Sequence, residues 1–288
     1  MFPCRRAEAP NRLVLAWAAV LALCLIAPAR GQSPRPFRIL ITNDDGVRAP
    51  MLPVLAQALR PLGEVIIVAP AADQSGVSQG LTGAPPILRT DLMLPGALAA
   101  IALTATPATT IQIAIKNIVM PRPDLVVTGI NTAYNLGTSA YLSGTVGAAR
   151  QAVMEGVPAV ATSMATAAVP RDGTAAAQQV AGIVRQVRDH SLPAQTFLNV
   201  NIPPMPAGGY KGVQITTQAP VRAGVETFEE GKRPGTDRTI YWSIYREGAT
   251  AAQGTDIWAV NNGYVSITPM RITEYDEKLA GTIRSWFK

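Results

Sequence analysis

Cysteine is nearly absent: the 288 residues include only Cys4 and Cys24, both near the start. Beyond that stretch no disulfide framework, thiolate nucleophile or Cys-based zinc site can be built. Histidine is scarcer still, with His190 alone. A His-based zinc centre and a phosphohistidine intermediate are therefore set aside. His190 follows Val187-Arg188-Asp189 at the end of a predicted helix, a place that suits a polar or cationic residue. Charged residues make up only 15% of the chain.

One uninterrupted apolar run is present, over 13–27, and its flanks explain it. Arg5, Arg6 and Arg12 precede it and Ala29-Arg30-Gly31 follows. A basic start, an apolar middle and a small-x-small exit form a secretory signal peptide, here 1–31 with cleavage near Gly31–Gln32. The run falls short of the roughly 20 residues a membrane span needs. Bulky Leu23 before Cys24 argues against a lipidation site. The expectation is an exported, periplasmic protein with no membrane attachment after signal removal. The leader carries four arginines and one glutamate, which leaves 21 Lys and Arg against 18 Asp and Glu, a net charge of +3. That excess is too small to argue for binding to nucleic acid.

The remainder, 32–288, reads as a single α/β domain with a core over about 36–205 and a hairpin and helix extension over about 206–288. Compact apolar runs at 37–42 (FRILIT) and 64–70 (EVIIVAP) predict strands, with a helix at 51–59 between them. Helices are predicted over 106–118, 145–155 and 175–188, and strands over 124–128, 158–163 and 197–202. Such alternation builds right-handed βαβ units on a mostly parallel, Rossmann-like sheet in three layers. The strand at 197–202 is expected to complete that sheet. From 208 onward, alternating runs at 212–217 and 239–245 predict hairpins, followed by a terminal helix from Glu274.

Chemistry gathers after the strands, where open α/β sheets bind ligands. Asn43-Asp44-Asp45-Gly46 follows the first strand, with Gly46 relaxing the turn. Adjacent carboxylates repel unless a cation neutralises them, and hard divalent ions take oxygen ligands. On the tetrapeptide alone a solvated turn or helix cap is an equal reading. The loop Asp73-Gln74-Ser75-Gly76-Val77-Ser78 brings hydroxyls to the same edge, and the segment over 124–131 (DLVVTGIN) brings Asn131, with Asn135 close behind. Ser143-Gly144-Thr145 opens a helix, whose free N–H groups and dipole suit phosphate, although Ser and Thr also cap helices that bind nothing.

ILITNDDG, VAP…QSGVS, PDLVVTGIN…NLG, SGTVGAA, FLNVNIP and TDIWAVNNGYVSITP, in that order, resemble the SurE family of nucleotidases across essentially the whole chain after the leader. The resemblance implies a Rossmann-like core whose hairpin-bearing C-terminal part exchanges between subunits, giving dimers or tetramers. It implies one divalent ion per subunit, Mg²⁺ or Mn²⁺, held by Asp44, Asp45, Ser75 and Asn131. The expected reaction is hydrolysis of a small phosphomonoester, most simply a 5′-nucleotide and also a 3′-nucleotide. Asp44 or Asp45 would assist as base, and Asn43, Asn135, Ser143, Gly144 and Thr145 would bind the phosphate. A broad-specificity acid phosphatase of the same fold, or an exported solute-binding protein, are the alternatives. Three departures stand out: Gln74 where Arg is frequent, Thr132-Ala133 where Arg-Gly follows the Asn, and Leu142 where Tyr often precedes Ser-Gly-Thr. They bear on phosphate affinity and substrate choice, since charged contacts to phosphate are strong.

Overall fold

The computed structural model describes residues 35–165 and 169–287. The signal peptide expected over 1–31, with both cysteines, lies outside them. From Phe37 on the chain forms one compact unit.

Strand β1 (Arg38–Thr42) is the middle of the architecture. Ile39 and Ile41 pack into the cluster on one face of the sheet and Leu40 into the cluster on the other. That two-sided burial is why the segment is apolar throughout. Helix α1 (Met51–Leu59) buries Met51, Leu52, Leu55, Ala56 and Leu59, a helical spacing. Strand β2 (Glu64–Pro70) returns parallel to β1, pairing Ile39 with Val65 and Ile41 with Ile67.

Strands β3 (Arg89–Leu92) and β4 (Ala99–Leu103) follow, then α2 (Pro107–Ile113), which continues as a wider turn over Ala114–Ile118. Next come β5 (Leu125–Asn131), α3 (Gly144–Met154), β6 (Ala159–Met164), α4 (Val169–His190) and β7 (Thr196–Ile202). Beyond β7 lie β8 (Val213–Ile215), β9 (Gly224–Lys232), β10 (Thr239–Glu247), α5 (Asp256–Asn261), β11 (Val265–Arg271) and α6 (Glu277–Arg284).

The main sheet has the order β3-β4-β2-β1-β5-β6-β7-β11-β8, and β9 and β10 form a separate antiparallel hairpin. Strands β4, β2, β1, β5, β6 and β7 are parallel, while β3 and β11 run antiparallel to their inner neighbours. The chain moves outward from β1 through β2 on one side and through β5 on the other. The crevice at the carboxyl ends of β1 and β5 is therefore the point where strand order reverses, the usual ligand position in such sheets. Helices α1 and α4 pack together on one face and α2 and α3 on the other.

Two expectations need correction. The strand at 197–202 does not complete the sheet, because β11 pairs antiparallel with it, from Ser266 opposite Asn201 to Arg271 opposite Thr196. The run at 212–217 is not a hairpin arm: β8 is a three-residue edge strand parallel to β11. Its partner is distant in sequence, so local alternation gives no sign of it. Strand β4, AAIAL, is also missed by pattern, since an alanine-rich run lacks the β-branched character of a strand. Burial of Ala100, Ile101, Ala102 and Leu103 against β2 makes it one. His190 is the last residue of α4, its Nδ1 3.0 Å from the Gln186 carbonyl oxygen.

A buried carboxylate fastens α4 to the chain leaving β7. Asp172, fully buried in the first turn of α4, accepts from the Met205 N–H at 2.8 Å and from both Nε and Nη2 of Arg171. The Arg171 hydrogen bonds, and then the Met205 N–H, hold its carboxyl below the usual range against the opposing effect of burial. A lowered folded pKa contributes stability that is present above the unfolded carboxylate pKa of about 4 and lost as pH falls through the folded value. The melting temperature of the wild-type protein should therefore fall more steeply below about pH 4 than that of Asp172→Asn. Parallel curves would show that Asp172 contributes nothing through its charge.

Candidate active site

The end of β1 delivers two carboxylates into different surroundings. Asp44 is buried, with 3% of its surface exposed, and Asp45 is half-buried beside it. Gly46 takes a φ of +92°, a conformation glycine adopts without steric cost, and so turns the chain away. Asn43 lies beneath this turn: its Nδ2 donates to the Gly46 carbonyl at 2.9 Å. Its contribution is to the backbone bend, and it does not line the cleft above.

Asp44 is held by the start of α3. The Thr145 N–H donates to Asp44 Oδ2 at 3.0 Å, and the Thr145 hydroxyl donates to Oδ1. Ser143 caps the same helix by accepting from the Val146 N–H at 3.1 Å. These first-turn donors thus serve Asp44 and the cap. Of the three residues read as a phosphate cradle, Ser143 lines the cleft, Thr145 is buried against Asp44, and Gly144 provides space. A Cβ at position 144 would lie 2.8 Å from that of Asp44, so only glycine allows the helix to approach so closely.

The second strand's loop closes over the pair. The Gln74 N–H donates to the Asp44 carbonyl at 2.8 Å. Ser75 donates both its N–H and its hydroxyl to Asp73 Oδ1, at 2.8 and 2.6 Å. A serine hydroxyl whose hydrogen is engaged this way keeps its lone pairs for an electrophile. Asn131 ends β5, where the register to β6 shifts between Thr128 and Asn131, and its Nδ2 donates to the Ala133 carbonyl at 2.7 Å. That bond leaves the amide oxygen as the group available to a cation.

Asp44, Asp45, Ser75, Asn131, Asn135 and Ser143 line one cleft of about 360 Å³. Burial raises the carboxyl of Asp44, against the opposing Thr145 hydrogen bonds. Burial, then the Asp44 charge and the Asp73 charge, push Asp45 up to about 6. Asp45 Oδ2 is buried with no hydrogen-bond partner. An orphaned carboxylate oxygen beside a second carboxylate, a hydroxyl and an amide oxygen is a donor set that suits a hard divalent ion. Among the described residues no group of three or more His, Cys, Asp or Glu side chains is placed to hold a metal ion together. The set therefore depends on neutral oxygens to complete it.

Pattern reading missed two further groups. Asn199 and Asn201, the polar residues of FLNVNI, are two apart and so share one face of β7. Both side chains donate to the Asn135 carbonyl, at 2.8 and 3.1 Å, and Asn201 Oδ1 accepts the Asn135 N–H at 2.8 Å. Asn135 Nδ2 in turn donates to Ser163 at 2.8 Å. Two asparagines in an otherwise apolar strand were the legible sign. The second group is buried Asp256, which opens α5. It accepts the N–H groups of Gly137 (2.8 Å), Ala219 (2.9 Å) and Ile257 (2.8 Å), and burial raises its carboxyl against these bonds. It joins the loop bearing Asn135 to the segment entering β9, from which Arg222 reaches the cleft, with Glu226 from β9 and Tyr245 from β10.

Residues 39–224 match the model of the family described as survival protein SurE. A 5′-nucleotidase SurE of Geobacter sulfurreducens is 37% identical over 253 residues, covering 86% of this chain and 93% of the relative. The 5′-nucleotidase SurE of Geotalea daltonii is 36% identical, with 86% and 98% covered. The crystal structure of the SurE protein from Aquifex aeolicus superposes with a TM-score of 0.73 at 33% identity, over 87% of this chain and 100% of that one. A carboxylate pair at the reversal point of a doubly wound sheet, read with these matches, makes this chain a member of the SurE family.

Proposed function

We propose that this protein is a divalent-metal-dependent 5′-nucleotidase, hydrolysing nucleoside monophosphates to nucleoside and inorganic phosphate. The observation that carries the reading is the unpartnered Asp45 carboxylate oxygen, buried beside Asp44 in a polar-lined cleft. The relatives named 5′-nucleotidase SurE, similar over 86% of the chain, support the substrate class. A solute-binding protein for phosphorylated ligands fits less well, because adjacent carboxylates without a cation repel a phosphate.

Asp44, Asp45, the Ser75 hydroxyl and the Asn131 amide oxygen would hold Mg²⁺ or Mn²⁺, since all are hard oxygen donors. When bound, such an ion supplies polarisation of a phosphoryl oxygen and a lowered pKa for water. Thr145 keeps the Asp44 carboxylate in one orientation through two hydrogen bonds. Asp73 orients the Ser75 hydroxyl in the same way. Asp45, the more open carboxylate, accepts the proton of the attacking water. Asn135, fixed on four sides by β6 and β7, and Ser143 face the phosphate with preorganised dipoles.

The exposed aromatic side chains Phe228, Tyr241 and Trp242 on the β9–β10 hairpin support self-association into dimers or tetramers. The basic and apolar leader supports export to the periplasm, and mass spectrometry of the secreted form should find a new amino terminus near Gln32.

Phosphate release from 5′- and 3′-mononucleotides and an aryl phosphate should require Mg²⁺ or Mn²⁺ and vanish with a chelator; full activity after thorough chelation would sink the metal mechanism. Asp44→Asn should lower kcat/KM by at least about 100-fold, because even the outer partners of metal ligands cost roughly 10–100-fold. Thr145→Val, which removes the hydroxyl on Asp44, should fall in that 10–100-fold range with the fold retained by circular dichroism. Near wild-type turnover in either variant would remove that residue from the site.

A further inference from the structure

The cleft has an uneven charge inventory. Asp44, Asp45 and Glu226 contribute three carboxylates, and Arg222 is the one Lys or Arg among its described lining residues. Glu226 accepts from the Ser243 hydroxyl at 2.6 Å, across the hairpin. Among the described residues the Arg222 guanidinium has no ion-pair or hydrogen-bond partner. The loops over 71–80 and 131–142, which supply most of the lining, contain no Lys or Arg, so neither of them supplies a cation.

The backbone of Arg222, by contrast, is firmly placed. It forms an isolated antiparallel bridge with Gly137. On either side, the Thr138 N–H donates to the Val221 carbonyl at 3.0 Å and the Ala223 N–H to the Ser139 hydroxyl at 3.2 Å. Gln218 Nε2 adds a bond to the Gly137 carbonyl at 2.8 Å. Residue 222 is thus tied to the loop that carries Asn135. A guanidinium with no partner among the described residues, on a fixed backbone at the wall of a cleft built for a phosphate ester, is an anion receptor.

We propose that Arg222, supplied from the entry to the β9–β10 hairpin, is the phosphate-binding cation of this enzyme. The assignment rests on the phosphomonoesterase reading above. A guanidinium can take two phosphate oxygens in a fork, and it offsets the carboxylates that would otherwise repel the dianion.

The test compares the purified wild-type protein with Arg222→Gln and Arg222→Lys in two assays, KM and kcat for a 5′-mononucleotide and an aryl phosphate with Mn²⁺, and binding of inorganic phosphate to the metal-loaded protein by calorimetry. Arg222→Gln should raise KM for both esters about tenfold or more and weaken phosphate binding to the same extent, with kcat changed less than KM and Mn²⁺ affinity unchanged. Arg222→Lys, which keeps the charge and loses the fork, should fall between. Unchanged KM and phosphate affinity in Arg222→Gln would overturn the assignment, as would a loss confined to kcat. If the wild-type protein releases no phosphate from any ester, the enzymatic reading fails, while the calorimetric comparison still decides whether Arg222 holds the anion.

Discussion

The site depends on the contact between the Asp44 carboxylate and the first turn of α3. A carboxylate removed from water is costly unless hydrogen bonds replace its hydration. Here the replacement is an N–H and a hydroxyl of one residue, Thr145, at the positive end of a helix. Glycine at 144 lets the two elements approach, and the Thr145 carbonyl accepts from Thr128 of β5 at 2.8 Å. Strand β1, strand β5 and helix α3 are therefore joined at the point where strand order reverses. Asp45, Ser75 and Asn131 take their positions from that junction.

Much of this was legible. Strand β1, helix α1 and strand β2 follow from apolar runs and helical spacing, because each buries a continuous stretch near in sequence to its partner. The polar residues that line the cleft follow from one rule, that polar residues after parallel strands collect at one edge. What the sequence could not reveal depends on distant partners. Strands β4 and β8 exist because β2 and β11 lie beside them, and neither AAIAL nor VQI declares it. The helix start at 143–145 reads more readily as a cap than as an anion site, and the atoms show the Thr145 and Val146 N–H groups engaged by Asp44 and Ser143. Asn43, with the composition of a ligand, bonds the turn that aims its neighbours.

Two buried polar devices do different work in this molecule. On the β7 side, Asn199 and Asn201 form a neutral layer beneath Asn135, which fixes the backbone of that cleft residue without adding charge. On the far side, Asp256 gathers three backbone N–H groups from the 137 loop, the 219 segment and its own helix. Each lies behind the cleft wall rather than in it.

The Asp256 junction has an evolutionary consequence. The carboxylates and neutral oxygens hang from the central sheet, whereas Arg222, Glu226 and Tyr245 hang from an appended hairpin and its entry, fastened by that buried acid together with the bonds between the 137 loop and residues 218–223. The wall that meets the ester can diverge, lengthen or trade residues while the sheet edge stays intact. A lineage could in this way drift from one phosphorylated metabolite to another by remodelling a surface ribbon, with its bond-breaking apparatus inherited unaltered.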